Sequence, residues 1–239
     1  GDQRIAGWWN EAVRETLSEI EAATATRVRQ KGANVDRVTG NMIAAIVTHD
    51  TSRSLDPQLH THLCIMNQTW DAVEKRWKGV QPSGFYRHPG YFREVCYNKL
   101  AGRMLAGGYR VESARGIGFQ IKGLPEELRA TFSKRRQEIL RLAREAGASS
   151  QAELQAITAE SRAAKTRASA FELRDGWLRE AWVHLDSMRR VVARAKSHPR
   201  SVVPLAPDVS LISAESQVFE RRSVVDKRVL LRAALAVVR

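Results

Sequence analysis

Cysteine is scarce in this sequence: Cys64 and Cys96 are the only two in 239 residues. They lie far apart inside apolar runs, and neither belongs to a CxxC spacing. A disulfide framework is thereby excluded, and a reducing compartment is the simpler setting. Seven prolines and 15 glycines are too few for a fibrous or disordered chain. No apolar run approaches the ~20 residues that cross a bilayer; the longest, Met42 to Val47 and Val229 to Val238 broken by Arg232, fall far short. Membrane insertion is not expected. There is no GxxxxGK[ST] phosphate loop, so ATP hydrolysis is not expected from these residues. No internal repeat stands out, which argues against solenoid folds. No charged-then-apolar leader opens the chain, and its start, Gly1-Asp2-Gln3-Arg4, reads as that of a piece excised from something longer.

What the sequence has in excess is positive charge. Its 39 Lys+Arg against 26 Asp+Glu give a net +13 and a pI near 10.4. Such a surplus speaks about partners rather than fold, and nucleic acid is the commonest acidic partner of a basic protein. Arginine dominates in the second half, as in Lys134-Arg135-Arg136 and Arg189-Arg190, and its planar fork suits bidentate phosphate contact. A solvated helix face is the alternative for any one cluster. With 43% hydrophobic and 27% charged residues the composition is globular, sufficient for one or two domains.

Apolar residues at Trp9, Val13, Leu17 and Ile20 recur at three and four, predicting an amphipathic helix over 4–24. Thr24 to Gln30 and a run from Val35 flank Lys31-Gly32-Ala33-Asn34, which reads as a hairpin. The run continues through Thr39-Gly40-Asn41, with a bulge at Gly40, into Met42 to Val47. That segment is apolar on both faces and resembles an interior strand covered on each side. Residues 50–57 are turn-forming, and Leu59 to Thr69 is extended again. A short strand around Trp77 follows, then a helix from Pro89 to Leu105 with Phe92, Val95, Cys96, Leu100 and Met104 inward, ended by Gly107-Gly108. A hairpin about Ser113 to Gly116 comes next, then one helix from Leu124 carrying Leu128, Phe132, Ile139 and Leu142. Further helices are expected near 151–165 and 172–194, a linker from Ser197 to Pro207, and a last helix from near Val225. The class is α+β: an antiparallel sheet with flanking helices plus a C-terminal helical extension.

The informative stretch is His49-Asp50-Thr51-Ser52-Arg53-Ser54-Leu55-Asp56-Pro57-Gln58-Leu59-His60-Thr61-His62. On a strand, residues two apart share a face, so His60 and His62 project together. The turn lets the preceding strand return antiparallel and brings His49 beside them. Neutral imidazole is the commonest metal-ligating side chain, and three on one side of a cation leave positions open for chemistry. A structural zinc site would want a fourth ligand, for which Cys64 is the candidate further along the strand. Hydrogen-bonded core histidines are the other reading. His88, His184 and His198 are isolated and read as surface or packing residues.

These residues resemble the three-histidine motif of TrwC/TraI-type (MobF) conjugative relaxases of the HUH endonuclease superfamily. The resemblance extends to Thr39-Gly40-Asn41, Met66-Asn67-Gln68-Thr69, Tyr97-Asn98-Lys99-Leu100-Ala101, Gly108-Tyr109 and Phe132-Ser133-Lys134-Arg135. It covers residues 1 to about 145 well and the helical segment to about 195 more loosely. It implies a palm-like relaxase fold and nicking of one strand at a plasmid transfer origin. A tyrosine attacks the scissile phosphodiester, leaving a 5′-phosphotyrosyl bond and a free 3′-hydroxyl. It implies that His49, His60 and His62 hold a divalent cation, Mg, Mn or Zn. The family's nucleophilic tyrosines and an activating acid lie near its N-terminus, ahead of where this chain starts. Tyr86, Tyr91, Tyr97 and Tyr109 all follow the histidines, so the expectation is a metal half-site without its nucleophile.

The expected domains are a relaxase catalytic core over 1–146 lacking its N-terminal part, a helical relaxase segment over 147–196, and over 197–239 a linker and the start of a helicase-related region, where Ser216 to Val225 carries the likeness. Single-stranded origin DNA is the expected partner, with other relaxosome and type IV secretion proteins, in the cytoplasm. Arg53, Arg135, Arg136, Arg189 and Arg190 are candidate backbone contacts. Trp177 and Trp182 are candidates to stack bases, with core packing as the alternative. Two other readings remain: a three-histidine hydrolase with Asp50 or Asp56 as general base, and a noncatalytic DNA-binding module whose histidines staple a hairpin.

Overall fold

The computed structural model describes residues 2–114, 118–161, 168–199, 207–220 and 224–237. In chain order the elements are α1 (Arg4–Ala22), β1 (Ala25–Gln30), β2 (Ala33–Val38), β3 (Ala44–Thr51), β4 (Pro57–Ile65), β5 (Thr69–Asp71) and β6 (Arg76–Lys78). After a short α2 (Ser83–Tyr86) come α3 (Pro89–Ala106), β7 (Val111–Ser113), β8 (Phe119–Ile121), α4 (Glu126–Thr131), α5 (Lys134–Glu145), α6 (Gln151–Glu160) and α7 (Ala170–Glu180). A 3₁₀ turn (Trp182–His184) then leads into α8 (Leu185–Ser197), α9 (Pro207–Phe219) and α10 (Lys227–Val237). Among the described residues the strands pair as four two-stranded ladders in sequence order. Among the described residues no helix is long and apolar enough to cross a membrane.

The chain forms two compact units, each assembled from separated stretches. The first comprises residues 1–46, 63–122 and 192–239, the second residues 47–62 and 123–191. In the first, α1 packs on α3 and α10 on α3 and α9. Ala12, Val13, Ile20, Phe92, Val95, Leu100, Ala101 and Met104 are buried, as helical periodicity predicts. The β1–β2 hairpin turns at Lys31 (φ 47°) and Gly32 (φ 82°), the paired left-handed residues of a two-residue turn matching strand twist. The Asn41 side chain pairs with a strand backbone: its Nδ2 donates to Trp70 O (3.0 Å) and its Oδ1 accepts from Trp70 N (2.8 Å). Arg37 donates to buried Asp71. Gly40 (φ 66°) lets the chain leave β2.

Three expectations are corrected. The run through Met42 to Val47 is not covered on both faces: Ile43, Ile46 and Val47 are exposed. Hydrophobicity says what a strand can bury, and no described residue buries these. The single helix expected from Leu124 is two, α4 and α5, interrupted at Phe132 and Ser133. The helix expected over 172–194 breaks at Ala181 into α7, the 3₁₀ turn and α8. Helix α9 (Pro207–Phe219) falls between the expected linker, which ends at Pro207, and the last expected helix, in a stretch for which no element is expected. The tip of the β7–β8 hairpin and most of the linker before Pro207 lie outside the described residues.

The second unit buries little apolar surface; Leu128, Ala143 and Ala181 are its buried hydrophobic residues among those described. Polar devices compensate. Capping boxes open α6 (Ser150 with Glu153) and α7 (Ser169 with Glu172), each satisfying two otherwise orphaned backbone donors.

Candidate metal centre

Strands β3 and β4 pair, and the short connection over residues 52–56 makes them antiparallel. Their far part, residues 47–62, belongs to the second unit. Thr48 Oγ1 and Thr61 Oγ1 lie 3.0 Å apart across the ladder. Because side chains alternate, a pair at 48 and 61 on one face puts 49, 60 and 62 together on the other. The rings bear this out. Centroids are 5.4 Å apart for His49–His60, 5.4 Å for His49–His62 and 5.1 Å for His60–His62.

That near-equilateral triangle can be tested against a cation. Its centre lies about 3.1 Å from each centroid. A nitrogen–metal bond of ~2.0–2.1 Å plus about 1.1 Å from ring nitrogen to ring centre gives the same span. Donor type and spacing therefore fit. Among the described residues no group of three His, Cys, Asp or Glu is placed as it must be to hold a metal ion; what fits a cation is the donor type and the ring spacing, not the present placement of the nitrogens. His60 Nδ1 lies 2.9 Å from Gln58 O. A carbonyl only accepts, so Nδ1 is the donor in this bond, and in the neutral ring Nε2 is the nitrogen with a lone pair for a cation. His49 and His62 are exposed and His60 half-buried, against the core-histidine alternative.

The turn behind the cluster is tightly built. Ser52 N donates to Asp56 O (2.8 Å), Leu55 N to Ser52 O (3.1 Å) and Asp56 N to Ser52 Oγ (3.0 Å). Leu55 sits in left-handed conformation (φ 61°), and its carbonyl accepts from Trp177 Nε1 at 2.7 Å. Asp56 is 2% exposed. Its Oδ2 accepts from Lys134 N at 2.9 Å, satisfying a donor that Ser133 at the α5 N-cap leaves without a side-chain bond. Lys134 Nζ reaches Glu180 (2.7 Å) and Asp56 Oδ1 (3.6 Å). The Glu180 hydrogen bond, ahead of the Asp56 charge, holds the Lys134 ammonium above its usual range. Asp56 is thus a buried helix cap, which removes it as the general base of a hydrolase.

The arginines divide. Arg135 is committed internally: it donates to Glu138 Oε2 (2.7 Å), Ser161 O (3.0 Å), Thr158 O (3.0 Å) and Ser161 Oγ (3.1 Å). It ties α5 to the carbonyl end of α6, so most of its donors are engaged inside the unit. Arg53 and Arg136 are exposed and line an open groove of about 780 Å³ with Pro57, Ile139 and Leu154. Arg189 and Arg190 are exposed on α8, bonded to Asp186 (3.2 Å) and Ser187 (3.1 Å). Trp177 is half-buried by its turn contact and Trp182 exposed. Neither Asp56's cap nor Trp177's bond was foreseen, and no local sequence signal carries them.

All four tyrosines belong to the first unit. Tyr109 is buried, donates to Asp2 Oδ2 at 2.8 Å, and burial followed by that bond pushes its phenol up to about 12. Tyr97 packs against Trp9 and Phe119. Burial raises the Tyr91 phenol, and Tyr86 is exposed.

Three clustered imidazoles suit a cation, and in the same unit a groove lined by exposed Arg53 and Arg136 suits a phosphate-bearing ligand. The chain belongs to the TrwC relaxase family, whose model matches residues 1–183. It is 35% identical over 150 residues to the multifunctional conjugation protein TraI of Escherichia coli, covering 58% of this chain and 8% of that protein. The TraI of strain K12 matches equally over 149 residues. The chain thus spans a small fraction of the length of these relatives. Among solved structures it resembles the conjugative relaxase TrwC in complex with OriT DNA. The metal-bound and metal-free forms each give a TM-score of 0.71 at 29% identity and cover 77% of this chain; the coverage of those chains is 65% and 66% respectively.

Proposed function

We propose that this chain is the metal-binding part of a conjugative relaxase that nicks one strand of transfer-origin DNA by tyrosine transesterification. The observation that carries the reading is the triangle of His49, His60 and His62, supported by family membership and by solved relatives holding OriT DNA with and without metal. The three imidazoles would hold a divalent cation, with Mg, Mn and Zn all compatible with such donors. When bound, the cation supplies Lewis-acid stabilisation of charge building on the scissile phosphate.

The chain's own residues bind and orient. His60, fixed through Gln58, offers a lone pair in a set direction. Arg53 and Arg136 line the groove through which a single strand would run, with Arg189 and Arg190 as further backbone contacts. In the reaction a tyrosine oxygen bonds to phosphorus and the 3′ oxygen leaves as the hydroxyl of the upstream strand; the phosphotyrosyl ester conserves the bond for rejoining. The reading assigns the attack to a tyrosine other than the four described above, which hold packing or surface places in the first unit. It places the protein in the cytoplasm, beside other relaxosome and type IV secretion components.

The test uses the full-length protein and a 3′-labelled single-stranded transfer-origin oligonucleotide with Mn²⁺. A label covalently attached to protein is expected, abolished by His60→Ala or His62→Ala. Free labelled ends without adduct would instead indicate hydrolysis and overturn the reading.

A further inference from the structure

We infer that Asp56 and Trp177 are positioning residues for the three-histidine cluster, clamping the turn that sets how His49 registers against His60 and His62. The inference rests on the metal reading of that cluster. Residues 52–56 join β3 to β4, with His49 near the end of the first strand and His60 shortly after the start of the second. In a hairpin the connection fixes register, and a slip of one residue sends a side chain to the opposite face. Convergence of the rings therefore depends on this turn holding one conformation.

The turn does not hold it by conformational preference alone. Leu55 occupies the left-handed region (φ 61°), a cost for a residue bearing a γ-branched side chain. Two anchors from helices of the same unit offset that cost. Trp177 Nε1 donates to the Leu55 carbonyl at 2.7 Å, fixing the strained peptide directly. Asp56, next in sequence, is buried with its carboxylate on Lys134 N, locking the turn to the start of α5, where a negative charge also suits the helix dipole. The two bonds grip adjacent residues from α7 and α5. An Asp chosen only as a hairpin turn residue would face solvent.

The experiment compares Trp177→Phe, Asp56→Ala and Asp56→Asn in the full chain. Phenylalanine keeps an aromatic ring and removes the N–H; asparagine keeps an oxygen for Lys134 N, which alanine does not. Mn²⁺ affinity is measured per folded molecule by paramagnetic resonance, alongside the Co²⁺ ligand-field spectrum and the metal-free melting temperature. Partners that orient ligands are worth about 10–100-fold in metal affinity, and anchors one step further removed fall at the lower end. Trp177→Phe and Asp56→Ala should weaken Mn²⁺ about tenfold and shift the Co²⁺ spectrum, while Asp56→Asn stays near wild type. A scaffold role alone would lower the melting temperature and leave affinity and spectrum unmoved, which overturns the inference. If Asp56→Ala does not fold, Trp177→Phe decides. A wild-type chain that binds neither ion overturns the metal reading and this inference with it; wild-type binding matched by Trp177→Phe and lost in His60→Ala overturns the inference alone.

Discussion

Replacing His62 with alanine removes one corner of a triangle whose sides are 5.1–5.4 Å and leaves His49 and His60 as a two-ligand remnant. The consequence can be read from stability. A ligand that binds only the folded state at 100 times its Kd stabilises by about 2.7 kcal/mol. For a chain of this length each kcal/mol moves the melting temperature by about 2–4 °C. Saturating Mn²⁺ should therefore raise the wild-type transition by roughly 5–11 °C, and His62→Ala should lose most of that rise at the same concentration. His49, His60 and His62 lie in the second unit, so the rise belongs to the transition of that unit. Differential scanning fluorimetry is paired with hydrogen exchange at residues 48–51 and 60–62, where metal-dependent protection should concentrate. His184→Ala, outside the cluster, is the control. An equal rise in wild type and His62→Ala, or a loss of it in His184→Ala, would refute the assignment of the three rings.

Arg135→Ala should destabilise the second unit by about 2–3 kcal/mol, since it strips four hydrogen bonds from a charged donor; DNA affinity, corrected for folding, should not change. Arg136→Ala should do the reverse, keeping the melting temperature and lowering the slope of log affinity against log salt for single-stranded DNA by about 0.7. Tyr109 should ionise near 12 in a spectrophotometric titration. A phenol raised in the folded state stabilises fully below the unfolded value near 10, and that contribution, of order 2–3 kcal/mol, should fade as pH climbs from about 10 to about 12; Tyr109→Phe should abolish this alkaline slope in urea titrations. Gly108→Ala should cost about 3 kcal/mol in denaturant unfolding, because φ is 92° and the added carbon would meet His198 O at 2.7 Å.

The sequence makes the ligand set readable and hides its supports, for a physical reason. His60 and His62 share a face because side chains alternate along a strand, and His49 joins them because a short connection forces antiparallel return; both rules are local. The α3 stripe of Phe92, Val95, Leu100 and Met104 and the Lys31-Gly32 turn are legible for the same reason. Asp56 and Lys134 are 78 positions apart and Leu55 and Trp177 are 122 apart. A turn that reads as solvated carries a buried carboxylate because a helix end far along the chain lacks its own cap. The break at Ser133 has the same origin: α5 can start there because Asp56 supplies the missing acceptor, so a pattern that looks like one helix becomes two. Arg135 is the opposite case. Its neighbours Lys134 and Arg136 suggest a phosphate cluster, yet three adjacent helical residues point in different directions, and most of the Arg135 donors are engaged inside the unit. The capping boxes at Ser150 and Ser169 could have been read from Ser-x-x-Glu, and they would have placed the starts of α6 and α7 to the residue. In a unit with so few buried apolar side chains, these polar devices carry the fold. The groups that hold the scaffold and the groups free to hold a cation or a strand are therefore the same residue types, told apart only by their partners.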